Sequence, residues 1–179
     1  MAFRKSKPAP QAVPTPPAGI TARVFTPNFV LHGRLQPSGA AFLGWLNNVN
    51  QRTITLTDVR VTALAPNGAV SSLAQSEATL PKTSIVAIDL LEEQGQRRVQ
   101  LPTQQAGALF YTERFVVRGQ MYMAGDMPLR NAFNVLSGDF FPVGQAEMHP
   151  LVATRDWGER RASLLLLNRP QVDFYHPLA

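Results

Sequence analysis

The chain contains no cysteine, which removes disulfide frameworks, thiolate metal sites, thiol nucleophiles and lipid attachment through sulfur in one step. It also lacks any run of about 18 apolar residues, the length a helix needs to cross a bilayer. Its longest run, Leu164 to Leu167, is only strand length. Arg4, Lys5 and Lys7 resemble the positive start of a signal peptide, but Pro, Ala, Gln and Thr follow where an apolar block would stand. Export by that route is not expected, and the combination points to a cytoplasmic protein without a membrane span.

Reactive groupings are missing as well. There is no His-x-x-x-His, no Glu beside paired His, no cluster of carboxylates and no glycine-rich phosphate loop. Ser71 and Ser72 follow Asn67-Gly68 in a hairpin-like turn and lack the flanking glycines of a nucleophile elbow. Asp58, in TLTDV, reads as a bulge or turn residue rather than a general base. His32 stands at an outward strand position, whereas His149 and His176 lie beside Pro150 and Pro177 in loop-like stretches. The expectation is a protein that is not an enzyme and holds no cofactor and no metal.

What is present is a 179-residue chain, 45% apolar, long enough to bury a sizeable core. Its formal charge is +5, but Arg4, Lys5 and Lys7 supply three of those charges and leave a body of only +2. Residues 1–20 hold five prolines and little that packs, and read as an extended basic arm. Residues 92–107, EEQGQRRVQLPTQQAG, are rich in Gln, Gly and charge and read as a join between two units, 21–91 and 108–179.

FVLHGRLQPSG at 29–39 returns as FVVRGQMYMAG at 115–125. Offset by 86 residues, 22–49 matches 108–135 at nine positions, among them Thr26 with Thr112, Phe29 with Phe115 and Gly33 with Gly119. Chance would give about two. After one inserted residue the offset becomes 87 and aligns Ile54 with Phe141, Leu56 with Val143, Lys82 with Arg169 and Ile85 with Val172. This reads as a tandem repeat of two copies, too few for a solenoid, and so as two similar small domains side by side.

Within each copy Phe29, Leu31, Gly33 and Leu35, or Phe115, Val117, Gly119 and Met121, alternate with polar or small residues as in a half-buried strand. A glycine on the inward face lets a strand bend sharply. The alternation Ile54, Leu56 changes phase before Val59, Val61, and Phe141, Val143 changes phase before Ala146, Met148, as a bulge would cause. Short helices are expected in AAFLGWLNNV and MPLRNAFNVL, the second starting near Asp126, and closing strands at 84–90 and 171–175. The fold class is therefore all-β with one short helix per repeat, arranged as two tandem small β-barrel or roll units.

The phrase TERFVVRGQMYM, the helix ending in Asn134, DFFPVGQAEM and LLLLNRPQVDFY together resemble an uncharacterised bacterial domain family of unknown function. Its members open on a TERY-like phrase and a Gly-containing strand, then carry an RLSDxLN-like helix, an alternating strand and a VNR-like turn. The second copy matches over most of its length; the first has TPNF for TERF and PKTS for NRPQ. The plan is also similar to Sm-like small barrels, which bind RNA. Neither Lys82 nor Arg169 is followed by Gly, and Asn47 and Asn48 stand well before Leu56, so only the barrel plan carries over.

Two surfaces follow. Met121, Tyr122 and Met123 are three consecutive apolar residues on one strand, at least one of which must face outward, and form the candidate partner-binding patch. Arg34, Arg60, Arg114 and Arg118 are the candidate phosphate contacts for the alternative, a nucleic-acid-binding module. The aromatics Phe110, Tyr111, Phe115, Phe140 and Phe141 alternate as core residues rather than as a base-stacking platform. The principal expectation is a non-catalytic assembly or adaptor protein that binds partner proteins or itself.

Overall fold

A computed structural model describes residues 19–39, 41–64, 72–152 and 159–178. The arm expected over 1–20 falls outside this set up to residue 18, as does Ser71. The described residues form ten strands: β1 (Ile20–Phe25), β2 (Phe29–Leu35), β3 (Thr53–Ala63), β4 (Leu73–Pro81), β5 (Ala87–Leu90), β6 (Gln104–Tyr111), β7 (Phe115–Met123), β8 (Phe140–Pro150), β9 (Arg160–Asn168) and β10 (Phe174–Pro177). Three short helices accompany them, α1 (Phe42–Leu46), α2 (Glu93–Arg97) and α3 (Leu129–Asn134). Every pairing is antiparallel.

The strands form a single sheet in the order β10-β6-β7-β8-β9-β5-β1-β2-β3-β4. The chain is thus mostly β, as its alternating patterns require. The barrel or roll units expected from the bent strands do not close into barrels. Each half lays out its strands in the same sequence, fifth-first-second-third-fourth. The fourth strand of the second half, β9, turns to β5 of the first half rather than to its own fifth strand. The sheet consequently stays open, with β4 and β10 at its two edges.

Local chemistry explains the bend in each half. Leu31, Gly33 and Leu35 face inward along β2, as Val117, Gly119 and Met121 do along β7. Register slips between His32 and Arg34 on β2, and between Arg118 and Gln120 on β7. The extra residues lie on the facing strands, at Asp58 and Gln145, with left-handed φ values of 52° and 49°. These are the bulges implied by the change of phase in the sequence. Opposite them the glycines admit the neighbouring backbone: a Cβ on Gly33 would lie 2.9 Å from the Thr57 carbonyl oxygen, and one on Gly119 2.9 Å from that of Gly144.

Several local features recur at matching positions. The Thr26 N–H donates to the Phe29 carbonyl at 2.9 Å and the Thr112 N–H to that of Phe115 at the same distance. The threonine hydroxyls close both turns from the other side, accepting from Phe29 N–H and Phe115 N–H. Where a cation and a turn were expected, 3₁₀ turns form at Lys82–Ser84 and Arg169–Gln171, and β5 and β10 follow them. Lys82 Nζ donates to the Asn48 carbonyl and Arg169 Nη1 to that of Leu136, so each cation closes the loop after its short helix. Asp126 does not cap α3, which begins after Pro128 without a side-chain cap. The stretch 92–107 is more ordered than a simple join, since it contains α2 and the first residues of β6.

Two cores result. One gathers around Leu35, Phe42, Leu56, Ile85 and Ile88; the other around Phe110, Phe115, Val117, Phe141 and Val143. Of the five aromatics expected in the core, Phe110, Phe115, Phe140 and Phe141 are at most 2% exposed, whereas Tyr111 is half-buried. Replacing Gly33 or Gly119 by Ala should force the bulged strand away and cost about 1–3 kcal/mol, read as a lower urea midpoint at unchanged slope.

Candidate functional site

The junction of the halves is built from strands buried on both faces. Because side chains alternate along a strand, Leu164 and Leu166 of β9 enter the first core while Leu165 and Leu167 enter the second. Across the joint Ala87 faces Leu167, Ile88 faces Leu166 and Asp89 faces Leu165. Phe25, Val86 and Ala87 leave their own half and pack in the second core, where the Phe25 ring meets Phe115 edge-on at 6.2 Å. Asn168 locks the end of the joint: its backbone N–H donates to the Val86 carbonyl at 2.9 Å, and its amide nitrogen to those of Lys82 and Ile85 at 3.1 and 2.6 Å. Asn47 adds a second clamp, exchanging two hydrogen bonds with the backbone of Phe140 at 2.8 and 2.9 Å.

Among the described residues, the same positions of the first half have no such cover. Phe29, the counterpart of Phe115, is 45% exposed, whereas Phe115 is 1% exposed. It walls an open groove of about 590 Å³ whose apolar surface includes Leu31, Val61 and Leu80, with Thr83 and Ser84 on the rim. The groove lies beside β4, whose outer residues from Leu73 to Glu77 are exposed. At the other end of the sheet β10 pairs with β6 alone, and Phe174 on it is 58% exposed while its ring stacks on Tyr111 at 4.2 Å. Both edges carry proline, Pro81 on β4 and Pro177 on β10, which removes N–H groups that another strand would use.

The expected apolar patch at Met121 to Met123 is corrected by burial. Met121 is fully buried and Met123 nearly so, both in the second core, because the strand phase set by Val117 and Gly119 turns them inward. Only Tyr122 is half-buried, and it leans over Gly144, where a Cβ would come within 2.9 Å of its ring.

The four arginines do not form one patch. Arg34 and Arg60 are exposed on β2 and β3, with Arg34 Nη2 donating to the Gly19 carbonyl. Arg114 sits half-buried at the junction and donates to Asn28 Oδ1 at 3.1 Å. Arg118 faces Glu147 across β7 and β8 at 3.7 Å, and Glu147 also meets Arg161 at 3.4 Å. In the first half Arg23, His32 and Arg60 occupy one cross-strand row on β1, β2 and β3. His149 and His176 are on β8 and β10 rather than in loops, and His176 Nε2 lies 3.2 Å from the Tyr111 hydroxyl. Among the described residues there is no group of three or more His, Asp or Glu able to hold a metal ion, and no helix long and apolar enough to cross a membrane.

Comparison with protein-family models, with curated proteins and with solved structures gives no match. The geometry alone therefore bears on function, and its distinctive feature is an apolar groove and two strand edges left open at opposite ends of one sheet.

Two ionisable groups are perturbed near the joint. Burial lowers the pKa of the Lys82 ammonium, against the raising effect of Asp139. Burial pushes the Asp89 carboxyl up to about 6, against the pull of the Arg23 guanidinium 3.5 Å away. Between the ordinary carboxylate value near 3.9 and about 6 the folded chain holds a proton on Asp89 that the unfolded chain releases, so the contribution of this group falls as pH rises through that window. The loss is at most about 3 kcal/mol. Asp89→Asn should flatten this part of the stability profile, measured as urea midpoints of both proteins from acid to neutral pH. Asn168→Ala, which leaves the Lys82 and Ile85 carbonyls unsatisfied in a buried place, should cost about 1–3 kcal/mol in the same measurement.

Proposed function

We propose that this chain is a non-catalytic assembly or adaptor protein, made of two copies of one small β unit over 21–91 and 108–179, that binds partner proteins or itself through open strand edges. The observation that carries this reading is the unequal treatment of equivalent surfaces: Phe115 lies under Phe25 and β5, whereas Phe29 lies beside an open groove and the outer edge of β4. An unpaired edge with apolar side chains beside it is a surface prepared for another polypeptide, since added backbone supplies the hydrogen bonds and side chains fill the groove. Duplication of the unit is supported by the sequence offset and by the paired bulges, turns and loop-closing cations. The resemblance to an uncharacterised bacterial domain family applies to both copies under this reading.

The alternative, nucleic-acid binding, is favoured by one feature, the row of Arg23, His32 and Arg60 with Arg34 on the neighbouring pair. It predicts a gel shift that collapses with salt and is lost in Arg34→Gln/Arg60→Gln. The assembly reading predicts masses above that of one chain in light scattering, or a defined protein retained in affinity capture from native extract. A single-chain mass at every concentration, together with an empty capture, would count decisively against it.

A further inference from the structure

The inner joint between β5 and β9 has an unfilled equivalent at the two ends of the chain. β10 is the counterpart of β5 and β4 the counterpart of β9, each displaced by 87 residues. We propose that the partner of the open edge is a second copy of this chain, whose β10 adds antiparallel to β4 and repeats the β5–β9 joint between molecules. This rests on the assembly reading above and names its partner.

The inner joint dictates the register. Ala87 opposite Leu167, Ile88 opposite Leu166 and Asp89 opposite Leu165 become Phe174 opposite Leu80, Tyr175 opposite Thr79 and His176 opposite Ala78 of the next copy. The Asn168 N–H reaches the Val86 carbonyl, so alternate residues Ile88 and Leu166 form the hydrogen-bonding pair of the joint. Their counterparts Tyr175 and Thr79 then exchange backbone hydrogen bonds between copies. The side chains follow the same logic. At the inner joint Phe25 and Ala87 cover Phe115; at the outer joint Tyr111 and Phe174 stand in their places and cover Phe29. The stacked Tyr111 and Phe174 rings are larger than the pair they replace, and the groove beside Phe29 is open to receive them.

The outer joint is weaker than the inner one for a definite reason. Pro81 stands where Asn168 supplies three donated hydrogen bonds, and Pro177 stands where Leu90 has an N–H. Association between copies is therefore reversible and depends on concentration, while the inner joint is permanent. The contact is head-to-tail, so each added chain presents a fresh open edge.

The test uses two exposed positions, Phe29→Glu, which spoils only the groove, and Phe174→Glu, which spoils only the donated strand. In sedimentation velocity the wild type should rise in steps of one chain mass as concentration increases, and each variant alone should stay at one chain. Their equimolar mixture should give a one-to-one dimer and nothing larger, because one intact groove and one intact strand remain. Ala78→Cys mixed with His176→Cys provides an independent readout in a chain that has no other cysteine. The two Cα atoms would lie about 4.5 Å apart, within disulfide reach, and oxidation should link the two variants. Self-association that survives either Glu variant, a mixture that stays at one chain, or no Ala78–His176 cross-link would overturn the head-to-tail joint. A wild type that stays at one chain yet retains another protein from extract would overturn it while leaving the assembly reading in place.

Discussion

The structure depends on one constraint: β5 and the 164–167 part of β9 lie between two cores and are buried on both faces. A strand that packs on one side only needs an alternating sequence, and most strands here have one. β9 serves both halves and reads LLLL at 164–167. Each of those leucines, taken out of water, contributes roughly 1.5–3 kcal/mol, so the junction ranks among the strongest features of the chain. The two halves consequently share one sheet, and each core draws residues from both.

The polar groups at that junction are few, and the hydrogen bonds they make require a geometry that apolar packing alone would not supply. Asn168 and Asn47 each bind backbone across the boundary, which fixes the register in which the leucines interdigitate. Asp89 and Arg23 pair at the margin, with the carboxyl largely desolvated by the strands around it. Specific hydrogen bonds of this kind contribute modestly to stability when made and cost more when broken, so they select one arrangement of the joint over its slipped alternatives.

The two halves share a strand order and paired bulges, and that makes their differences informative. Phe29 and Phe115 occupy the same turn and the same strand phase, yet one is half exposed and the other sealed. No property of the residue distinguishes them; only the presence of a neighbour does. The prolines at both outer edges, Pro81 and Pro177, lack the N–H that Asn168 and Leu90 have at the inner joint, so the two ends of the sheet offer fewer backbone donors than its middle.

Much was written in local sequence. The glycines at 33 and 119, the phase changes around Asp58 and Gln145, and the cations Lys82 and Arg169 followed by turns were legible, because bends, bulges and loop closure depend on a few adjacent residues. The side to which Met121 and Met123 point was also set by strand phase, although three apolar residues in a row obscured it. Which strand pairs with β5 was not legible. Either fourth strand has the alternating pattern of a neighbour for β5, and the choice rests on which apolar faces can be buried together over long sequence separations. That choice, made only in the tertiary structure, opened the expected barrels into one sheet and left Phe29 uncovered.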